Sequence, residues 1–69
     1  MSSAGTRPYS YTAEGGDTVT VYQGGDLQWY WRRTARNGQP VSAGGEGYSR
    51  KSGAKRAAVS RNPPAARLR

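Results

Sequence analysis

A chain of 69 residues with no Cys, no His and 11 basic against 4 acidic residues, for a formal charge of +7, holds one domain at most. It excludes a disulfide framework and a thiolate zinc site, and it lacks the commonest general base. No run is long and apolar enough to span a bilayer, and Met1–Gly5 has no basic segment leading into an apolar one, so a cytoplasmic protein is expected.

Residues 1–16 are rich in Ser, Thr and Gly and read as an N-terminal arm, although Tyr9 and Tyr11 alternate as a strand would. The domain proper is read as 17–69. From Asp17 to Gln23 the alternation predicts a strand, with Val19 and Val21 on one face and Thr18, Thr20 and Tyr22 on the other. Gly24-Gly25-Asp26 is the expected turn. A three-residue loop there sets Val21 opposite Trp29 and Val19 opposite Trp31. A slip of one residue would turn every side chain to the wrong face.

Leu27 to Ala35 is the predicted central strand. Leu27, Trp29, Trp31 and Arg33 share one face, and Gln28, Tyr30, Arg32 and Thr34 share the other. Asn37-Gly38 predicts a two-residue type I′ hairpin, because both central positions of that turn need positive φ. It would place Val41 on the face of Tyr30. The return strand from Gln39 to Ala43 contains Pro40, which has no N–H, so it is expected at a sheet edge.

Gly44-Gly45-Glu46-Gly47 ends the meander. Ser49 is a plausible N-cap for a helix from Arg50 to about Arg61. Ala54, Ala57 and Ala58 cluster on one side of it, a smooth face able to approach Trp29 and Trp31. Gly53 weakens this helix by roughly 1 kcal/mol relative to Ala, so it depends on tertiary contacts. Pro63-Pro64 stops it, and Ala65 to Arg69 is a candidate short strand. The predicted core is Val19, Val21, Trp29, Trp31, Ala54, Ala57 and Ala58. With no Phe and no Ile, that core is thin for a lone copy.

The alternating Trp29 and Trp31, the turn Asn37-Gly38 and the Glu46-Gly47-Tyr48 segment before a helix resemble, in order and spacing, the YegP-like family of small prokaryotic domains. The likeness runs from about Val19 to the C-terminus. It implies an α+β fold: a three-stranded antiparallel meander, one helix packed on it, and a short C-terminal strand. It further implies that two such units share one sheet and exchange their last strands. With no internal repeat, this chain would pair with a second copy as a homodimer, Ala65–Arg69 being exchanged and Pro63-Pro64 the crossover. Arg33 and Arg61 depart from the family, which usually has large apolar residues there, as does Pro40, where a β-branched residue is common. The likeness carries no biochemical activity and no catalytic residues.

The residues themselves point away from catalysis. There is no activated nucleophile, no metal-ligand spacing and no cofactor motif. Glu46 beside Tyr48 reads as a solvated loop acid or a partner for an Arg. Gly44–Gly47 lacks the Lys-Ser/Thr ending of a phosphate-binding loop, and no small-molecule substrate is indicated. Charge is the sharper signal. Arg7, Arg32, Arg33 and Arg36 balance Glu14, Asp17, Asp26 and Glu46, so the excess lies wholly in Arg50, Lys51, Lys55, Arg56, Arg61, Arg67 and Arg69.

Such a block is either a solvated helix face with a soluble tail or a contact surface for an anionic partner. Tyr30 and Arg32, on the face opposite the tryptophans, would add a stacking surface. The expected function is thus a non-enzymatic homodimeric binding or accessory module. Non-specific nucleic-acid binding is the alternative, the acidic face of a protein being another anionic partner. A phage-type protein directed at a host factor is a further reading with no motif behind it.

Overall fold

The computed structural model describes residues 7–65. Four antiparallel strands form one open sheet in the order β1-β2-β3-β4: β1 Tyr9–Thr12, β2 Thr18–Gln23, β3 Trp29–Thr34 and β4 Pro40–Ala43. One α-helix among the described residues, α1, spans Lys51–Arg61 and packs across β2 and β3. The α+β class stands, with a strand, β1, ahead of the three-stranded meander read from the sequence.

That extra strand comes from the stretch read as an arm. Tyr9 pairs with Val21 and Tyr11 with Val19, so the two tyrosines extend the apolar face and pack against the core. Ala13, just beyond, is fully buried. Gly15 and Gly16 make the reversal into β2 with φ of 86° and 93°, a region open to glycine at no steric cost.

The β2–β3 register is corrected by two residues. Val21 lies opposite Trp31, Val19 opposite Arg33, and Gln23 opposite Trp29. The loop does have three residues, but they are Gly25, Asp26 and Leu27, because Gly24 N–H donates to the Gln28 carbonyl at 2.8 Å. Leu27 takes the positive φ, 69°, after a turn closed by its own N–H on the Gly24 carbonyl. This is a type I turn followed by a left-handed residue, a common three-residue hairpin. Leu27 is therefore not on the tryptophan face; it is 72% exposed. A shift of two residues preserves facing, so Val19, Val21, Trp29 and Trp31 still share the buried side.

The Asn-Gly turn is corrected too. Ala35 N–H donates to the Gln39 carbonyl and Gly38 N–H to the Ala35 carbonyl. Only Gly38 has positive φ, 91°, so the loop is Arg36-Asn37-Gly38 and not a two-residue type I′ turn. Asn37 instead accepts the Gln39 N–H on its side-chain oxygen. The added residue is absorbed at once. Thr34 faces Pro40, the register shifts, and Arg33 faces Ser42. Val41 becomes the extra residue of a bulge, exposed and without the cross-strand place a two-residue turn would have assigned it. Pro40 lies on an edge strand, where a missing N–H is tolerated.

The helix begins one residue later than expected. Arg50, not Ser49, stands at the N-cap, and no side chain caps the first turn. Ala54 and Ala58 are fully buried, while Ala57 is only partly so. Asn62 closes the other end. Its N–H and its side-chain amide both donate to the Ala58 carbonyl, at 2.7 and 3.0 Å, satisfying a carbonyl that a helix end leaves open. The chain then returns to β1: Glu14 N–H donates to the Pro63 carbonyl and Ala65 N–H to the Thr12 carbonyl. The expected last strand, Ala65–Arg69, lies almost wholly outside the described residues.

Candidate functional site

The sheet has two unlike faces. Toward α1 it carries Val19, Val21, Trp29 and Trp31, all buried. At the end of that face Arg33 stands where an apolar side chain would be expected. Its guanidinium meets Asp17 at 2.7 Å, Asn62 Oδ1 at 3.2 Å and the Glu14 carbonyl at 2.9 Å. Tyr11 Oη donates to the Asn62 carbonyl at 2.7 Å. Burial raises the Tyr11 pKa, with Tyr9 adding to the effect and Arg33 opposing it. One arginine thus ties the β1–β2 turn and β3 to the end of the helix.

The opposite face is open. Tyr22 and Tyr30 stack with ring centroids 6.0 Å apart, and the Arg32 guanidinium lies 4.9 Å over Tyr22, the geometry of a cation–π contact. Tyr30 Oη donates to the Asp26 carboxylate, which also accepts the Gln28 N–H. These bonds hold Asp26 below the usual carboxylate range, the Tyr30 bond being the larger cause. The same bond raises the Tyr30 pKa.

The structure divides the binding residues expected from sequence. Tyr30 and Arg32 sit on the open face, whereas Arg50, Lys51, Lys55, Arg56 and Arg61 belong to the helix layer on the other side. Two of the latter are engaged with core rings: Lys55 Nζ lies 4.1 Å over Tyr9 and Lys51 Nζ 5.7 Å over Trp29. Arg56 and Arg61 are exposed. Arg67 and Arg69 lie outside the described residues. A single continuous basic surface is not formed by the described part of this set.

A cleft of about 370 Å³ lies between the last turns of α1, Trp31 and the glycine-rich connection. It is lined by Trp31, by Gly44, Gly45, Glu46 and Tyr48 of the glycine-rich connection, and by Ala57, Ser60 and Arg61 of α1. The main chain at Tyr48 is fixed by a reciprocal pair of hydrogen bonds with Trp29, 2.7 and 2.8 Å. Gly44 permits a close approach: a Cβ there would stand 2.8 Å from Trp31 Cε2 and 2.9 Å from Cδ1. Tyr48 Oη lies 3.5 Å from Glu46 Oε1, a long contact that leaves the carboxylate mostly to solvent. Sequence reasoning missed this cleft because its residues are distant along the chain. The only local signal was a run of glycines following a strand that pairs with a tryptophan strand.

The family described as Domain of unknown function (DUF1508) matches residues 26–68, more than half of the chain. The chain belongs to this family. The match takes in β3, β4, α1 and the residues lining the cleft, and begins after β1 and β2. No curated protein and no solved structure matches the chain. No helix among the described residues is long and apolar enough to cross a membrane, and no cluster of metal-binding side chains occurs among them.

Proposed function

We propose that this chain is a small non-enzymatic binding or accessory module, YegP-like in kind, that works as a homodimer through its C-terminal segment. The observation carrying this reading is the thinness of the core. Among the described residues only seven apolar side chains are buried, and three of them are alanine. A domain of this size buries a smaller fraction of its surface than a larger one, and association with a second copy is the remaining way to add to it. The edge strand β4 is exposed along its whole length, so the sheet is open to extension on that side. Light scattering at micromolar concentration tests the reading. Twice the 7.4 kDa chain mass is expected, and a cooperatively folded monomer overturns it.

Non-specific nucleic-acid binding is the second reading, favoured by the Tyr22–Tyr30 stack with Arg32 beside it. Base stacking on such a platform tolerates any sequence. Arg50, Lys51, Lys55, Arg56, Arg61, Arg67 and Arg69 would serve phosphates, which makes affinity fall steeply with salt. Shift assays with single-stranded DNA across a salt series decide it. No complex at low salt, or an affinity insensitive to salt, excludes this reading.

A further inference from the structure

We propose that the cleft over Trp31 is a binding site for a small zwitterion, a ligand carrying an ammonium and a carboxylate a few bonds apart, such as an amino acid or the joined ends of a dipeptide. The first observation is an unused donor. Trp31 is 5% exposed and lines the cleft, yet its indole N–H has no acceptor among the described residues. Every fully buried polar side-chain atom among those residues has a partner, so this N–H is reached by solvent, and Gly44, which lines the cleft with Trp31, lies against the indole nitrogen. A donor on so buried a ring, left without a protein acceptor, is suited to an acceptor brought by a ligand.

The second observation is charge. Glu46 and Arg61 line the same cleft, and neither belongs to the ion pair that joins Arg33 to Asp17 among the described residues. Each therefore keeps its charge for another group. A carboxylate held by Arg61 and the Trp31 N–H would gain charge-assisted hydrogen bonds, and Glu46 would take the ammonium. A purely anionic ligand is disfavoured by Glu46 and by the carbonyl end of α1, which carries partial negative charge. A purely cationic one is disfavoured by Arg61. The Trp31 and Tyr48 rings supply apolar wall, and about 370 Å³ falls within the range of small-molecule sites. This site does not depend on the proposed dimer.

The test is an NMR titration of the ¹⁵N-labelled full chain, read at the Trp31 indole N–H cross-peak. Leucine, glycylglycine, acetate and methylammonium are the probes. A saturable shift with leucine or glycylglycine is expected, and which of the two binds tighter distinguishes a free amino acid from a peptide. Acetate and methylammonium should each bind at least about tenfold more weakly, the usual cost of losing one charge-assisted contact. Glu46 and Arg61 are exposed, so E46Q and R61Q keep the fold, and each should weaken zwitterion binding about tenfold. The proposal is overturned if no probe moves the indole signal, if acetate binds as tightly as the zwitterions, or if both variants bind unchanged.

Discussion

Replacing Arg33 should cost more than any other single charge change in this protein. Its side chain lies at the end of the buried face and makes three contacts, to Asp17, Asn62 Oδ1 and the Glu14 carbonyl. Asp17 and Glu14 can turn to water. Asn62 cannot, because it is only 3% exposed and its amide nitrogen is already committed to Ala58. In Arg33→Ala the partly exposed ion pair contributes up to about 1 kcal/mol, and stranding the buried Asn62 oxygen costs about 1–3 kcal/mol. The total is about 1–4 kcal/mol.

For a domain of this length 1 kcal/mol moves Tm by roughly 4–8 °C, so a fall of at least about 4 °C is expected. Arg33→Met separates these polar contributions from the packing of the side chain's apolar stem. It restores the length and apolar body of the side chain but not the donor, so it should recover less than half of the loss. Thermal and urea unfolding followed by tryptophan fluorescence measure both variants. A neutral or stabilising Arg33→Met would refute the reasoning and show that the position behaves as an apolar core site, as some buried ion pairs do when replaced by hydrophobic groups.

Four further outcomes are expected. Gly44→Ala should destabilise by about 1–3 kcal/mol, the usual cost of overpacking, because the new Cβ meets the rigid Trp31 indole; urea unfolding measures it. Leu27→Gly should stabilise by about 1 kcal/mol, since it relieves a left-handed backbone at an exposed site, and a lower Tm would contradict this. Gly53→Ala should stabilise by about 0.5–1 kcal/mol in the same assay, its Cβ standing an ordinary 3.5 Å from Tyr48.

The Asp26–Tyr30 bond should leave two pH signatures. Asp26 is depressed below 3.8, so its contribution is whole above that value and lost as pH falls through the folded pKa. Tyr30 is raised above 10.0, so its contribution is whole below that value and lost as pH rises through the folded pKa. Tyr30→Phe should remove the alkaline effect from a plot of Tm against pH and reduce the acid one, leaving the part due to the Gln28 N–H.

Much of the fold is legible in the sequence, and the reason is local. In β2 and β3 the period of two sends Val19, Val21, Trp29 and Trp31 to one face whatever the loop does by an even number of residues. Pro63 cannot continue a helix, and Ala54 and Ala58 recur at the helical spacing, so the helix and its buried stripe follow from the residues between Tyr48 and Pro63. Pro40 requires an edge.

The tertiary structure decided what depends on groups distant in the chain. Leu27, not a glycine, takes the left-handed position, because Gly24 is drawn into the ladder by Gln28 and the Asp26 carboxylate braces the turn; that choice moved the register. Tyr9 to Thr12 alternates as a strand would but sits in a Ser-, Thr- and Gly-rich stretch, and its place as a strand is set by pairing with β2 and by contact with the core. The cleft leaves no sequence signal beyond the run of glycines after β4. It exists because the helix end, a buried indole and a glycine connection converge, and convergence is set by packing rather than by any local preference.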